Sequence, residues 1–377
     1  AALAARHPDC YTYAPDPLRA LQELARHHRR QLIIPVLGIT GSNGKTTTKE
    51  LINAVLSRHF RVQCTRGNLN NHIGVPLTLL SIRPGEHELA IVEMGANHQG
   101  EIELLSSLAE PTHGLITNIG KAHLEGFGGQ EGIAQGKAEL FRFLAAVGGT
   151  AFVNTLDARL VDLATIVPQC VSYPGPTDTY PATFVGATPH VTLRLTDETI
   201  VEAQITGDYN FPNLAAAAAV GQYFEVSTAE IADALAAYAP TNNRSQLVHT
   251  GRNEVMLDAY NANPSSMGAA LRSFAIRPGA SKAAKVVVLG DMFELGEESA
   301  AEHGTLGTLL DELSFGLLVL IGPEMARAYT ACDGGNSHHF ATKPEAAAWL
   351  QTQGLQGRQI LIKGSRGMGL ETLLELI

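Results

Sequence analysis

The fold of this chain is decided by the stretch Gly38-Ile39-Thr40-Gly41-Ser42-Asn43-Gly44-Lys45-Thr46-Thr47-Thr48. The apolar run Leu32–Leu37 before it predicts a buried parallel strand, and residues 49–56 after it predict a helix. A glycine-rich turn between a strand and a helix N-terminus presents free backbone N–H groups and the positive end of the helix dipole to an anion. The stretch therefore predicts a phosphate-binding loop inside an α/β domain.

The side chains of this loop indicate a nucleoside triphosphate. Lys45 supplies a positive charge for the β- and γ-phosphates, and the Thr46 hydroxyl is a ligand for Mg²⁺. The usual motif has glycine where this chain has Ile39, with glycines at 38 and 41 instead. A turn that only joins strand to helix is the alternative. The other residues expected to contact the nucleotide here are Gly41, Ser42, Asn43, Gly44 and Thr47.

Composition excludes several classes of protein. At 377 residues, 45% apolar and 17% charged, the chain is long enough for two or three globular domains. Its net charge of −10 argues against nucleic acid as a main partner. No apolar run approaches the ~20 residues of a membrane span. The cysteines are far apart and form no CxxC pair, which suits a reducing compartment, the cytoplasm, and indicates neither a zinc site nor disulfides: Cys10, Cys64, Cys170 and Cys332.

The start of the chain has neither Met nor a signal-peptide pattern. We therefore expect that Ala1 is not the natural first residue and that residues 1–15 are the tail of a preceding element. Pro17–Arg30 has apolar residues at helical spacing and a basic end, which predicts a helix with a cationic C-terminus.

Polar residues follow the predicted strands of the first domain. Leu89–Gly95 is a buried strand that carries Glu93 near its end, and the strand His113–Ile119 leads into a glycine-bounded loop with His123. The C-terminal ends of parallel strands line the ligand crevice of an α/β sheet. Glu93 is therefore expected to hold the Mg²⁺ of the nucleotide, with a surface carboxylate as the alternative. The helix after the loop carries Lys137.

A polar loop, Arg66–Pro76, contains three asparagines in four positions: Asn68, Asn70 and Asn71. Such residues are poor core material and good hydrogen-bonding groups. They indicate either a ligand-facing loop or an Asx-rich turn.

The second half of the chain changes character twice. Residues 191–195 and 200–205 alternate apolar and polar side chains and predict an antiparallel pair. Helices are expected at 211–224 and 228–238, and the polar segment Pro240–Ser245 marks a domain boundary. Strands and helices then alternate again, which predicts a second α/β domain of roughly 130 residues.

Seven ordered motifs together resemble the Mur ligase family, the ATP-dependent amide-forming enzymes of peptidoglycan precursor synthesis, and within it the MurF type. They are GSNGKTTTKE (41–50), GNLNNHIGVP (67–76), EMGANHQGEI (93–102), GKAHLEGFG (120–128), DAYNANPSSM (258–267), LGDMFELGEES (289–299) and LIKGSRGMGLE (361–371). The resemblance implies an α/β fold: a remnant of an N-terminal UDP-substrate domain (1–30), a central P-loop ATPase domain with a mostly parallel sheet and a small antiparallel section (31–240), and a C-terminal Rossmann-like domain (241–377).

The resemblance implies ATP, one or two Mg²⁺ ions and a catalytic set of Lys45, Glu93, His123 and Lys137. Thr46 and Glu93 would ligate the first Mg²⁺, and His123 looks like a ligand of the second. Lys137 stands where related ligases carry a carbamylated lysine. A free ammonium repels Mg²⁺, whereas a carbamate is the oxygen-donor anion that this ion prefers. An ordinary surface lysine is the alternative.

The resemblance also implies contacts with the nucleotide and the substrates. Arg244 would reach the nucleotide phosphates and Asp258 the ribose, with Asn154 and Asp157 on the adenine side. The asparagine loop resembles the segment that faces the UDP-linked substrate. The residues implied to face the peptide carboxylates or the acyl phosphate are Asn261, Asn263, Lys363, Ser365 and Arg366.

The implied reactants are UDP-N-acetylmuramoyl-tripeptide and D-alanyl-D-alanine, joined by a monomer that closes around them with residues 240–244 as the hinge. Many relatives carry His where this chain has Tyr209, so no catalytic role is assigned to that residue. Two alternatives stay open: another amide ligase of this architecture, such as a folylpolyglutamate synthase-like enzyme, and a nucleotide-binding module that is inactive without an N-terminal domain.

Overall fold

The structure, a computed structural model, describes residue 6, residues 13–332 and residues 336–377. A six-stranded sheet organises the first half of the chain, with strand order β2-β3-β1-β4-β5-β6 and parallel pairing throughout. Its strands are β1 (Val36–Thr40), β2 (Val62–Cys64), β3 (Leu89–Glu93), β4 (His113–Ile116), β5 (Thr150–Asn154) and β6 (Gln169–Tyr173). We call the region built on this sheet the central domain.

Helices cover both faces of the central sheet, as a parallel sheet requires. They are α1 (Pro17–Arg30), α2 (Lys45–Leu56), α3 (Gly74–Leu80), α4 (Glu101–Ala109), α5 (Leu124–Phe127), α6 (Gln130–Val147), α7 (Ala158–Ala164), α8 (Phe211–Tyr223) and α9 (Thr228–Ala237). Between α7 and α8 lies the predicted antiparallel section, a three-stranded sheet of β7 (Thr183–Ala187), β8 (Val191–Arg194) and β9 (Ile200–Glu202).

A second six-stranded sheet organises the C-terminal domain, in the order β10-β11-β15-β12-β13-β14. The edge pair β10 and β11 is antiparallel, and the other pairs are parallel. The strands are β10 (Gln246–His249), β11 (Glu254–Asp258), β12 (Lys285–Gly290), β13 (Leu317–Ile321), β14 (Ser337–Phe340) and β15 (Gln359–Lys363). The helices are α10 (Pro264–Ile276), α11 (Ser299–Leu313), α12 (Met325–Thr330) and α13 (Lys343–Gln353).

The strand before the phosphate-binding loop differs from its prediction. The sequence predicts it over Leu32–Leu37, but β1 begins at Val36, after Pro35, and runs to Thr40. Ile33 is fully exposed. Gly38, placed at the start of the loop by the motif, is therefore an interior strand residue. A Cβ on it would lie 3.1 Å from Met94 Cε and 3.3 Å from Leu140 Cδ1 on α6, so this glycine allows helix and sheet to pack closely and does not shape the loop.

Two other predicted elements differ from the structure, and one predicted segment lies mostly outside the described residues. The strand expected over 113–119 ends at Ile116, because the following residues turn to hold the loop described below. The helix expected near the C-terminus is a 3₁₀ helix, Leu370–Leu376. Most of the segment 1–15 lies outside the described residues, so the expectation about a preceding element stays a prediction, as do the domain boundaries at residues 30 and 240.

The alanine-rich helix α8 packs directly on α2, the helix that begins at the phosphate-binding loop. All five alanines of 215–219 are buried, and a Cβ at Gly221 would lie 2.5 Å from Val55 on α2. Small side chains let the two helices approach closely, which places the first turn of α8 beside the loop. In the part of the chain that the structure describes, no helix has the length and apolar character needed to cross a membrane.

Candidate active site

A cavity of about 730 Å³ lies between the central and C-terminal domains, at the C-terminal ends of the parallel strands of both six-stranded sheets. Residues that are far apart in the sequence meet there, from the loop before α2 to the end of β15. Most of the site residues expected from the sequence line it: Ser42, Asn43, Gly44, Lys45, Thr46, Thr47, Asn68, Asn70, Asn71, Glu93, His123, Arg244, Asp258, Asn261, Asn263 and Lys363.

The loop between β1 and α2 has the shape of an anion cradle. Gly41 has φ 140°, and a Cβ there would come 2.0 Å from Thr117 Oγ1, so only glycine fits this close approach. Gly44, with φ 78°, directly precedes α2 and leaves that helix N-terminus open toward the cavity. Lys45 Nζ donates to the carbonyl oxygens of Gly41 (2.7 Å) and Ser42 (3.2 Å). Free N–H groups, a helix dipole and an ammonium therefore converge on one point.

The neighbouring strand β4 holds this cradle rigid. Asn118, just beyond β4, accepts from the backbone N–H of Asn43 (3.0 Å) and donates back to its carbonyl (3.0 Å). Thr117 Oγ1 donates to the same carbonyl at 2.6 Å, and Ser42 Oγ donates to Gly120 O at 2.9 Å. These bonds explain why β4 ends early.

Electrostatics around Lys45 favour a negatively charged ligand. Burial lowers the pKa of this lysine to about 8; the nearby Glu93 opposes that shift, and Arg244 adds to it. Two cations of the site therefore already interact unfavourably, and an anion between them relieves that interaction.

Glu93, at the end of β3, is the most enclosed carboxylate of the site. Its Oε1 accepts hydrogen bonds from Thr46 Oγ1 (3.1 Å) and Asn70 Nδ2 (2.8 Å). Lys49 Nζ lies 3.6 Å from Oε2 and donates to Gly67 O at 3.1 Å. Among the described residues, Oε2 has no hydrogen-bond partner although it is buried.

This donor set fits Mg²⁺ held jointly with a nucleotide. Glu93 and the Thr46 hydroxyl offer oxygen ligands side by side, and Oε2 accepts no hydrogen bond from the described residues, its nearest cation being Lys49 Nζ at 3.6 Å. Mg²⁺ typically takes one or two protein oxygens and completes its shell with phosphates and water. The described residues contain no cluster of three His, Cys, Asp or Glu side chains that could hold a metal alone.

His123 directly precedes α5, and Lys137 lies on α6, the next helix along the chain. His123 has φ 57°, and its Nδ1 contacts a carboxylate oxygen of Glu294 from the C-terminal domain. Lys137, on α6, is only 1% exposed, and its Nζ donates to Ala96 O at 3.2 Å. Ala96 itself lines the cavity, so the amine of Lys137 lies one residue behind the wall.

The environment of Lys137 disfavours its charged form. Burial lowers its pKa well below the usual lysine value, and the charge of Lys45 acts in the same direction, whereas Glu101 and Glu139 oppose the shift. The side chain packs over the ring of Phe127, with Nζ 4.8 Å from the ring centroid. A neutral amine next to the cavity is a nucleophile, unlike an ordinary surface lysine.

The C-terminal domain contributes a buried ion pair to the opposite wall. Asp258 ends β11 and Lys363 ends β15, and Lys363 Nζ lies 2.5 Å from Asp258 Oδ2. Lys363 also donates to Asn261 O (3.2 Å), and Asp258 Oδ1 accepts from Ser245 N (3.1 Å). The neighbouring parallel strands bring this acid and base together, with both side chains facing the nucleotide cradle.

The two domains touch directly across the cavity. Asn263, the N-cap of α10, donates from Nδ2 to Asn43 Oδ1 in the phosphate-binding loop (2.7 Å). Lys121 Nζ lies 2.5 Å from Glu302 Oε1, and Lys121 N donates to Ser265 Oγ at 2.8 Å. The structure therefore shows the domains in a closed arrangement.

Six residues expected at the site lie outside the cavity lining. Gly41 packs against Thr117 and Lys137 lies behind Ala96, as described above. Asn154 and Asp157 follow β5; Asn154 Oδ1 accepts from Leu156 N, and Asp157 caps α7. Ser365 Oγ accepts from Phe293 N, and Arg366 packs on Tyr260. The adenine contacts of Asn154 and Asp157 stay predictions.

Sequence reasoning assigned no role to several residues that line or border the cavity. Asn213, in the first turn of α8, accepts from Thr48 Oγ1 (3.0 Å), and Tyr209 OH bonds to Ser245 Oγ (2.9 Å). The polar run 207–213 at the start of an alanine helix was the available signal. Glu50, the last residue of GSNGKTTTKE, accepts from Asn242 Nδ2 in the interdomain segment (3.0 Å) and from Tyr238 OH (2.7 Å).

Family comparison assigns both domains. The Mur ligase middle domain matches residues 39–221, and the domain described as "Mur ligase, glutamate ligase domain" matches residues 243–366. The UDP-N-acetylmuramoyl-tripeptide–D-alanyl-D-alanine ligase of Bacillus subtilis (strain 168) is 36% identical over 370 residues, which cover 96% of this chain and 79% of the relative. The Escherichia coli (strain K12) ligase of the same name is 34% identical over 373 residues, covering 96% of this chain and 81% of that one.

Solved structures agree with the sequence relatives. MurF from Acinetobacter baumannii superposes with a TM-score of 0.87 at 35% identity and covers 96% of this chain and 80% of that one. MurF from Thermotoga maritima, solved in complex with ADP, has a TM-score of 0.84 at 25% identity, with 97% and 84% coverage.

Proposed function

The chain belongs to the Mur ligase family, and from that premise we propose that it joins D-alanyl-D-alanine to UDP-N-acetylmuramoyl-tripeptide in an ATP-dependent reaction of peptidoglycan precursor synthesis. The names of the relatives support these substrates. One structural observation carries the proposal: a single cavity joins the phosphate-binding loop of the central domain to the Asp258–Asn263 segment of the C-terminal domain.

Amide formation in water requires an activated acyl group. A carboxylate oxygen of the tripeptide attacks the γ-phosphorus of ATP, ADP leaves, and an acyl phosphate forms. The amine of D-alanyl-D-alanine then attacks the acyl carbon and loses a proton, and inorganic phosphate leaves. The C–N bond formed replaces the C–O bond broken.

The first step brings a carboxylate toward a polyphosphate, and the residues of the cavity reduce that repulsion. Lys45 lies in the loop that cradles the phosphates, and Arg244 reaches the same region from the interdomain segment. Fixed positive groups in an enclosed site stabilise the charge that spreads over the transferred phosphoryl group. When bound, Mg²⁺ would be held by Thr46 and Glu93 and would neutralise phosphate charge.

The buried amine of Lys137 supports the expected carbamylation. Carbon dioxide reacts with neutral amines, and burial lowers the pKa of Lys137 so that the neutral form is favoured. The resulting carbamate places an anion behind the cavity wall, which suits a second Mg²⁺ site that His123 would share. Mass spectrometry of the intact protein in bicarbonate, and rescue of Lys137→Ala by a small carboxylate, test this proposal. Unchanged activity of Lys137→Ala would disprove it.

The decisive experiment is a phosphate-release assay with ATP and UDP-N-acetylmuramoyl-tripeptide. We expect phosphate release with D-alanyl-D-alanine as the amine and none with glutamate, meso-diaminopimelate or lysine. Release with glutamate alone would favour the folylpolyglutamate synthase-like alternative. ADP binding without release under any condition would favour a nucleotide-binding module.

The remaining expectations concern the asparagine loop, the cellular compartment and the oligomeric state. The asparagine loop, whose Asn70 donates to Glu93, is proposed to face the UDP-linked substrate. Because the reaction consumes ATP, we propose that the enzyme acts in the cytoplasm. We also propose that it is a monomer, which sedimentation measurements would test.

A further inference from the structure

Two guanidinium groups pack against one aromatic ring at the wall of the cavity. Arg244 Cζ lies 3.6 Å from the centroid of the Tyr260 ring, and Arg366 Cζ lies 5.1 Å from it. Arg244 precedes β10, Tyr260 follows β11 and Arg366 follows β15. Both distances are within the ~6 Å over which a cation is attracted to an aromatic face. The ring therefore gathers two cations from separate segments of the chain.

The charges of these arginines are not balanced by the protein. Among the described residues, neither side chain forms an ion pair or a hydrogen bond, and Arg244 Nε is buried without a partner. The positive field of Arg244 also reaches Lys45, whose pKa it lowers. Two cations on one ring repel each other, and an unpaired buried donor is costly. Such an arrangement is suited to a bound anion and contributes little to folding.

The backbone around Arg244 is held in an uncommon conformation that directs its side chain onto the ring. Asn243 and Ser245 have φ values of 57° and 48°, a backbone conformation that residues other than glycine rarely adopt. Hydrogen bonds maintain the turn, because Tyr260 N donates to Asn243 O (3.2 Å) and Ser245 N donates to Asp258 Oδ1 (3.1 Å). Uncommon backbone geometry that neighbours hold in place is frequent at ligand sites.

We propose that Tyr260 is a positioning residue for phosphate binding: its ring, on which Arg366 also packs, holds Arg244 in place for the phosphates of the nucleotide and the transferred phosphoryl group. This inference rests on the proposed function. The Tyr260 hydroxyl forms no hydrogen bond with any described residue, so the aromatic face is the part that acts. Because the planar guanidinium stacks and an ammonium does not, the pairing is specific for arginine.

Calorimetric titration of the full chain with ADP tests the proposal. We expect Tyr260→Leu to weaken ADP binding about tenfold, equivalent to about 1.4 kcal/mol, while Tyr260→Phe restores the affinity because it keeps the ring. In turnover, Tyr260→Leu should raise KM for ATP more than it lowers kcat. Arg244→Lys keeps the charge but loses the stacking surface and should also weaken ADP binding, which provides a second variant if Tyr260→Leu does not fold.

A double-mutant cycle separates positioning from a general structural effect. In an Arg244→Met background, Tyr260→Leu should change the ADP affinity less than about twofold, because the group through which the ring acts is already gone. Equal losses in both backgrounds, or wild-type affinity of Tyr260→Leu, would overturn the inference and leave the ligase function standing. Failure of the unmodified chain to bind ADP would overturn both.

Discussion

Lys49 shows how one residue of the phosphate-binding motif can serve the site from outside the cavity lining. Its side chain is 2% exposed, bonds to Gly67 O and lies beside Glu93, which is 1% exposed. It thus connects the asparagine loop to the carboxylate expected to bind Mg²⁺. Glu50, the next residue of the motif, makes the equivalent connection to the interdomain segment.

We expect Lys49→Met to destabilise the protein by about 3 kcal/mol, because removing one partner leaves the Glu93 charge buried and uncompensated. The midpoint of urea unfolding measures this loss. Arg83→Met is the matched control, since its pair with Glu86 is largely exposed and should matter little. Equal effects of the two substitutions would contradict the assignment.

His113 should make folding stability depend on pH. It lies among Phe152, Tyr223 and Phe224, and burial lowers its pKa to about 4. The unfolded chain takes up the proton near pH 6.5, whereas the folded chain does so only near 4. The stabilisation is therefore complete above pH 6.5 and is lost as the pH falls toward 4.

Between pH 7 and 5 the wild type should lose about 2 kcal/mol more stability than His113→Gln. The difference arises because each pH unit below 6.5 costs the wild type about 1.4 kcal/mol. Urea unfolding at both pH values measures the difference. His249→Gln, at an exposed histidine, should retain the wild-type loss. If His113→Gln loses as much stability as wild type, the dependence comes from another group.

At the scale of elements, the contact between α2 and α8 positions the nucleotide cradle. Gly221→Ala would place a Cβ 2.5 Å from Val55 Cγ1 and 3.0 Å from Ile231 Cγ1. Alanine normally stabilises a helix by up to about 1 kcal/mol relative to glycine. Here overpacking, which costs roughly 1–3 kcal/mol, should exceed that gain and lower the melting temperature.

Gly304→Ala in α11 is the matched control, because a Cβ there meets open space. It should raise the melting temperature through helix propensity alone. Opposite signs for the two substitutions would support the close packing of α2 on α8, and equal signs would contradict it.

At the scale of the whole molecule, the contacts between Asn43 and Asn263 and between Lys121 and Glu302 predict a closed state that ligands favour. Small-angle scattering should show compaction when a non-hydrolysable ATP analogue and both substrates are added. Glu302→Gln, which weakens one contact, should reduce the compact fraction, whereas Glu297→Gln at an exposed position should not. Absence of compaction would disprove residues 240–244 as a hinge.

Much of the architecture was predictable because its signals are local. Apolar runs, helix periodicity and the antiparallel alternation of 191–205 identified most elements. The strand end identified Glu93 as a wall residue, and the family resemblance identified Asp258. The strand before the loop was misplaced because Leu32–Leu37 is as apolar as a strand, whereas Pro35 and an exposed Ile33 end that run outside the sheet. Hydrophobicity alone does not predict which residues of an apolar run pair with a neighbouring strand.

The sequence by itself determined the phosphate-binding loop, the two α/β domains and the family, since each depends on residues close together in the chain. Only the tertiary structure decided how the site is assembled. Asn43 meets Asn263, and Tyr260 draws Arg244 and Arg366 together, across more than a hundred residues. Such contacts produce no periodic pattern in the sequence, because these side chains meet only when both sheets have folded and the domains have closed. The loop at 38–48 thus specifies phosphate binding, and the closed cavity determines which residues of the C-terminal domain reach that loop.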